Sequence, residues 1–377
     1  MKQNIFDLTL EELENILVNE YHTRPFVAKQ VWSWLYTRGS RDFETMSDVS
    51  RDLRGEMSRR YSCDRPSLAG DLLSEDGTRK WLLELTDGQR IEVVYIPWDD
   101  RGTLCLSSQV GCAMGCKFCN TGDQGFIRNL ETFEIVQQVI LAKDLLNEWG
   151  NRAIGEGRKI TNIVLMGMGE PLLNYERVMK SMGIVNDRNG IAFSNRRITL
   201  STCGIVPKIY DFRSDMRFNL AISLHAATNE LRKKIMPIAE AYSLEQLMEA
   251  CSHYSRETGH RRVTFEYIMI LDFNDRAEDA GRLIGLVRKY HISAKFNLIP
   301  FNRWESCKLE CQPSTPDRIR KFAKYITSAG YPCPVRLSRG QDIMAACGQL
   351  RSKPGSTVPP TSTEGLYSGA ETVTLDS

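Results

Sequence analysis

From about residue 100 the chain alternates between short apolar runs and longer amphipathic stretches. The runs at 104–110, 160–166, 198–201, 219–224, 263–270 and 295–299 read as strands, and helical patterns such as 133–149 and 244–257 lie between them. Parallel strands of one sheet need crossovers of this kind. Six strand–helix units therefore specify an α/β fold, a parallel sheet with helices outside. Six rather than eight make a partial, TIM-like (β/α)6 barrel, whose active site belongs at the C-terminal ends of its strands, as in complete barrels.

Three further segments flank this barrel at 99–350. Residues 1–65 are expected to form a helical accessory domain. Thr9-Leu10-Glu11-Glu12 is a capping box, hydroxyl and carboxylate three residues apart, after which Leu10, Leu13, Ile16 and Leu17 share a face. Pro25 can start a second helix that carries Val27, Val31, Trp34 and Leu35 into a core, and a third follows near 46–61. At 66–98 a β extension is expected, since apolar runs at 81–85 and 91–96 flank the turn signal Asp87-Gly88. Residues 351–377, rich in Ser, Thr, Pro and Gly, read as a disordered tail.

Eleven cysteines in 377 residues need explaining. The N-terminus carries no apolar secretory core and no run approaches a membrane span, so a cytoplasmic, thiol-reducing setting is expected. Clustered cysteines there point to metal binding or redox catalysis rather than a disulfide framework. The formal charge of +2 does not by itself indicate nucleic acid. Arg59/Arg60, Arg196/Arg197, Arg232/Lys233/Lys234 and Arg261/Arg262 are local basic clusters that read either as solvated faces or as contacts to an RNA backbone.

Cys112, Cys116 and Cys119 are spaced Cys-x3-Cys-x2-Cys in a loop after the first barrel strand. Three thiolates so close can wrap one metal centre. Structural zinc wants four closed ligands, usually in two separated pairs, and the second pair is missing. A four-iron cubane normally takes four cysteines; three leave one iron open to chelate a substrate.

With this spacing at this place in a six-unit barrel, the chain resembles the radical S-adenosylmethionine enzymes. The neighbouring segments 104–112, 124–130, 167–174, 223–226 and 339–350 sharpen the likeness, including Gly167-Met168-Gly169-Glu170-Pro171 and Ala346-Cys347-Gly348. Over about residues 8–350 they are similar to the RlmN-type adenine-C2 methyltransferases of 23S rRNA and tRNA. The resemblance implies a [4Fe-4S] cluster on Cys112, Cys116 and Cys119, with S-adenosylmethionine on its open iron, cleaved to a 5′-deoxyadenosyl radical. Gly169, Glu170, Ser201, Ser223, Leu224, His225 and Asn297 match positions that line this cofactor. By itself His225 would read as a core histidine.

The resemblance also implies two thiols in catalysis. Cys347 would become an S-methylcysteine intermediate at the expense of one S-adenosylmethionine, and a second molecule would supply the radical, two per turnover. Cys105 would resolve the RNA-linked intermediate, leaving a transient disulfide with Cys347. Without the motifs, either residue reads equally as a small buried hydrophobe. Glu92, alone among apolar and aromatic residues at 91–96, would be the proton acceptor, or else face solvent on an alternating strand. The implied partners are 23S rRNA, tRNA and a low-potential electron donor such as flavodoxin. Three other readings remain open here: a Cfr-type carbon 8 methyltransferase with the same cysteines, a non-catalytic iron–sulfur protein that binds RNA or carries electrons, and a zinc-bearing RNA-binding protein. Residues 301–307 depart from the family, lacking the expected proline and glycine, and Cys307 and Cys311 are added.

Overall fold

The computed structural model describes residues 2–150, 157–212, 218–304, 307 and 309–352. Of the tail expected at 351–377, everything from 353 onward lies outside the described residues.

The chain opens with strand β1 (Gln3–Asn4), helices α1 (Leu10–Asn19), α2 (Phe26–Tyr36) and α3 (Arg51–Arg60), and strand β2 (Tyr61–Ser62), which pairs in parallel with β1 and closes the unit. The capping box at the start of α1 is formed in both directions between Thr9 and Glu12. On α2 the buried anchor is Trp32 rather than Trp34. Trp32 lies one residue after Val31 and stacks at a tilt on Tyr36, ring centroids 4.2 Å apart, whereas the indole of Trp34 turns outward to donate to Asp48.

Next come β3 (Ser67–Leu73), β4 (Arg79–Glu84), β5 (Arg90–Trp98) and β6 (Arg101–Cys105). The β4–β5 turn places Gly88 at φ 78°, as the Asp-Gly pair anticipates. A short hairpin follows, β7 (Gln109–Gly111) and β8 (Phe126–Asn129), with helix α4 (Asn120–Gln124) inside it. Then come helix α5 (Thr132–Leu145), β9 (Asn162–Leu165), α6 (Tyr175–Asn186), β10 (Ile198–Thr202), α7 (Val206–Tyr210), β11 (Asn219–Ser223), α8 (Asn229–Ile235), α9 (Leu244–Glu257), β12 (Val263–Met269), α10 (Ala277–Lys289), β13 (Ala294–Pro300) and α11 (Pro316–Ser328).

One nine-stranded sheet runs β13-β12-β11-β10-β9-β6-β5-β4-β3. The six strands from β6 to β13 are mutually parallel, the partial barrel; β5, β4 and β3 continue it antiparallel. The expected strand at 104–110 is therefore two elements. β6 stops at Cys105 because the backbone leaves the sheet there: the Ser107 amide donates to the Gln138 side chain and the Ser108 amide to the Met168 carbonyl. The cysteine loop grows from the small β7–β8 hairpin, not from the barrel strand.

Helix α5 is buried on nearly every side, as a helix wedged between two layers must be. It packs between barrel and N-terminal unit, where Asp144 holds the buried guanidinium of Arg65 at 2.9 Å. The last described stretch, from Val335 on, crosses the open side of the barrel. It starts from a bridge between Val335 and Leu298 on β13 and reaches the β extension, where Asp76 accepts from the Gly340 amide at 2.9 Å.

Candidate active site

Two cavities meet inside the barrel. The first is walled by Cys112, Cys116 and Cys119, by Gly169 and Glu170 after β9, by Ser201, Ser223 and His225 after β10 and β11, and by Cys347. The second, of 560 Å³, is walled by Cys105, Val94 and Ile96 and runs toward the N-terminal ends of β6 and β9 at Arg101 and Asn162. Met166, Ile299, Arg336, Cys347 and Leu350 line both.

The cysteine loop depends on glycine. Gly111 has φ 73°, and a Cβ there would stand 1.8 Å from the Gly125 carbonyl oxygen; a Cβ on Gly122 would press on the Cys116 backbone at 3.0 Å. Burial pushes the Cys112 thiol up to about 12 and holds Cys116 and Cys119 above the ordinary thiol range. Thiols this costly to ionise serve as thiolates where metal charge replaces lost water. Among the described residues no three Cys, His, Asp or Glu side chains stand close enough to share one ion. A cubane instead takes its thiolates on separate irons. The loop therefore fits a cluster: three cysteines of one short loop on one wall of a cavity, with room opposite for a chelating ligand.

Glu170 is 3% exposed. Its two oxygens accept from the amides of Leu172 (3.0 Å) and Cys203 (2.8 Å), so it first pins the turn after β9 to the end of β10. Burial raises its pKa and these bonds oppose the rise. The Cys203 and Thr202 side chains bear on the same carboxylate, so the chain itself already engages its acceptor sites. Gly169, at φ 101°, lies where a Cβ would meet the Gln109 side chain at 2.5 Å. His225 holds φ 58° and its ring meets Phe118 edge-on at 4.5 Å. Its Nδ1 accepts from the Ile268 amide at 3.1 Å, which leaves the proton on Nε2 as a donor. Burial, with Arg232 adding to it, drops its pKa to about 3, so the imidazole is neutral.

Not every expected residue reaches the cavities. Leu224 is buried beneath the first, its amide bonded to the Glu266 carbonyl. Asn297 stands behind Glu266, to which it donates at 3.0 and 3.2 Å. Glu92 does not face solvent: it is 5% exposed, paired with Lys80 at 2.9 Å and bonded to the Arg351 amide. It lies two residues before Val94, hence on the strand face that lines the second cavity. Burial raises its pKa against the pull of Lys80.

Cys347 is brought to the cysteine loop by a strap from α4. The Asn120 amide donates to the Gly348 carbonyl at 2.7 Å, its side-chain amide to Gln349, and the Thr121 hydroxyl to Leu350 at 2.6 Å. Cys347 is exposed to the cavities and Cys105 is buried. Loss of water pushes the first thiol up to about 11 and the second to about 12, and Arg336 opposes both shifts.

Arg336, Glu266, Cys203 and Arg232 were not singled out from the sequence as site residues. Glu266 had a signal, a lone carboxylate in the apolar run 263–270; Arg336 had a weaker one, a charge between Val335 and Leu337. Arg232 is a correction. It was grouped with surface cations, yet it is 0% exposed while Lys233 and Lys234 are exposed, because the arginine turns inward from α8. Residues 305, 306 and 308 of the divergent loop lie outside the described residues; Cys307 and Cys311 are half-buried and line neither cavity.

Comparison with known proteins agrees with this layout. Residues 106–284 match the model of the radical SAM superfamily, and residues 3–62 that of the ribosomal RNA large subunit methyltransferase N-terminal domain. The chain is similar to the dual-specificity RNA methyltransferase RlmN of Rhizorhabdus wittichii, 51% identical over 86% of this chain and 80% of that protein. It is similar also to RlmN of Rhodospirillum rubrum, 49% identical over 93% and 80%. Among solved structures it is similar to a radical SAM methyltransferase from Sphaerobacter thermophilus, with a TM-score of 0.85 and 40% identity over 93% of this chain and 99% of that one.

Proposed function

Since this chain belongs to the RlmN family of dual-specificity RNA methyltransferases, in the radical SAM superfamily, we propose that it methylates carbon 2 of an adenosine in the peptidyl-transferase region of 23S rRNA and of the adenosine next to the anticodon in tRNA. The observation that carries this reading is the place of Cys347, at the junction of one cavity that holds the three cluster cysteines and another that holds Cys105. A sulfur there can receive a methyl group from one side and present it to a base on the other.

Cys112, Cys116 and Cys119 would hold the cluster, and Gly169, Glu170, Ser201, Ser223 and His225 would surround S-adenosylmethionine; bound there, the two supply a 5′-deoxyadenosyl radical. The remaining steps belong to the chain. Arg336 favours the Cys347 thiolate, which takes a methyl from S-adenosylmethionine. Cys347 then holds that S-methyl group where it can lose a hydrogen atom and bond to carbon 2. Glu92, its pKa raised, receives the carbon 2 proton, and the adduct's unpaired electron would return to the bound cluster, which supplied one at the start. The Cys105 thiolate attacks the Cys347 sulfur, the S–C bond pair leaves with the methylene carbon, which takes a proton, and a disulfide remains. Two S-adenosylmethionine molecules are used per turnover, and a low-potential donor such as flavodoxin supplies the electron that starts the cleavage and the two that reduce the disulfide for the next turnover.

The second cavity suits an extruded nucleotide. Arg101, Arg336 and Arg339 line it with no carboxylate among its lining residues, and Trp98 stands 42% exposed at its rim under the Arg339 guanidinium. A target base must leave its stack to reach Cys347, and exposed aromatic and guanidinium planes suit unpaired RNA. Among the described residues no helix is long and apolar enough to cross a membrane.

The test is anaerobic reconstitution with methyl-labelled S-adenosylmethionine and both RNA classes, followed by mass spectrometry of the digested RNA and of the Cys347 peptide. Label on carbon 2 and S-methylcysteine at Cys347 are expected. Label on carbon 8, or turnover by Cys347→Ala, would overturn the reading.

A further inference from the structure

Helix α8 lies under the cysteine loop: the Lys117 amide donates to the Ile235 carbonyl at 3.0 Å, and Pro237 sits beside Gly115. From this helix Arg232 turns into the interior. Its Nη2 donates to the carbonyls of Cys203 at 2.6 Å and Ser223 at 3.4 Å, and its Nε to that of Leu224 at 3.3 Å, at the ends of β10 and β11. Its Nη1 is buried without an acceptor among the described residues. The ionisable groups coupled to the guanidinium are the thiols of Cys203, Cys116 and Cys251 and the neutral imidazole of His225, with no carboxylate among them in the described residues.

Three carbonyl dipoles could make Arg232 a plain structural pin. They balance a full buried charge only in part, and an isolated buried cation is strongly disfavoured. Cys203, whose carbonyl Arg232 holds, lines the same cavity as the three loop cysteines, so a cluster there is the anion that fits. A four-iron cubane on three thiolates carries one net negative charge when oxidised and two when reduced, and the reduction potential of such clusters follows the surrounding charge. A fixed cation nearby favours the more negative, reduced form.

We propose that Arg232 is the buried counter-cation of the cluster on Cys112, Cys116 and Cys119, and that its charge makes the cluster easier to reduce. The inference rests on the cluster reading above. Arg232 is then a positioning residue that touches neither substrate nor the reacting atoms.

The test is an anaerobic redox titration, followed by electron paramagnetic resonance, of the reconstituted full-length protein without S-adenosylmethionine. In Arg232→Met, reduction is expected to become at least tenfold less favourable, about 59 mV for a one-electron couple, while Arg232→Lys stays near wild type. Cluster loading should also raise the melting temperature of Arg232→Met by less than that of wild type, since only wild type gains an ion pair on loading. If Arg232→Met takes up no cluster, Arg232→Gln is titrated in its place with the same expectation. An unchanged potential in the loaded neutral variant, or a lysine variant that falls as far as the neutral one, would overturn the inference alone. Wild-type protein that takes up neither iron nor sulfide would instead overturn the cluster reading.

Discussion

Cys347, the proposed nucleophile, stands in an unhelpful setting. Loss of water holds its thiol near 11, and Arg336 keeps it from rising further. Only a small thiolate fraction exists at neutral pH, growing tenfold per unit until the pH nears 11. The alkylation rate of Cys347 in protein without cluster should follow that slope, and Arg336→Met should slow alkylation several-fold at pH 8, as read by peptide mass spectrometry. His225 gives the opposite kind of titration. Its folded pKa of about 3 lies below the ordinary 6.5, so the unfolded chain binds the proton first. Its stabilising contribution is full above pH 6.5 and declines as pH falls from 6.5 toward 3, by about 1.4 kcal/mol per unit. Urea unfolding of the apo protein should show stability falling between pH 7 and 5, the full slope being reached only below about pH 5.5, and this fall should be flattened in His225→Gln. The cysteine triplet was legible in the sequence because its close spacing puts three thiols on one short loop, which the structure sets on one cavity wall. Arg232 was not, since a string of three cations says nothing about which one turns inward.

At the level of elements, the strap from α4 to the segment after Cys347 sets where the nucleophile stands. Asn120→Ala would leave the Gln349 carbonyl without its buried donor, at a cost of about 1–3 kcal/mol. We expect faster hydrogen exchange at 345–350 and less S-methylcysteine at Cys347, with iron content unchanged. Equal loss of iron and of S-methylation would contradict this role. The alternating strand–helix rhythm disclosed the six parallel strands, because buried strands read as continuous apolar runs. It did not disclose the break after Cys105, where side-chain bonds from Gln138 replace sheet bonds within what still reads as one apolar stretch. Nor did it disclose that the β extension shares the barrel's own sheet, since pairing partners leave no mark in local sequence.

Across the whole molecule, the near-neutral net charge leaves room for local basic groups on a proposed RNA-facing rim. Arg101 opens β6, and Arg196 and Arg262 precede β10 and β12; all three are exposed at the N-terminal ends of these strands, and Arg339 lines the second cavity. Replacing Arg196 and Arg197 together with glutamate should weaken RNA binding and flatten its salt dependence, without change in iron content. Unchanged affinity at physiological salt would remove this rim from the RNA interface. The meeting of the two cavities at Cys347 has a further consequence. On the proposed reading it would act like a hatch between two rooms, separating the supplier of the methyl group from its recipient. Only the recipient's room would then have to meet RNA, so one iron-bearing room would serve two unrelated RNA architectures.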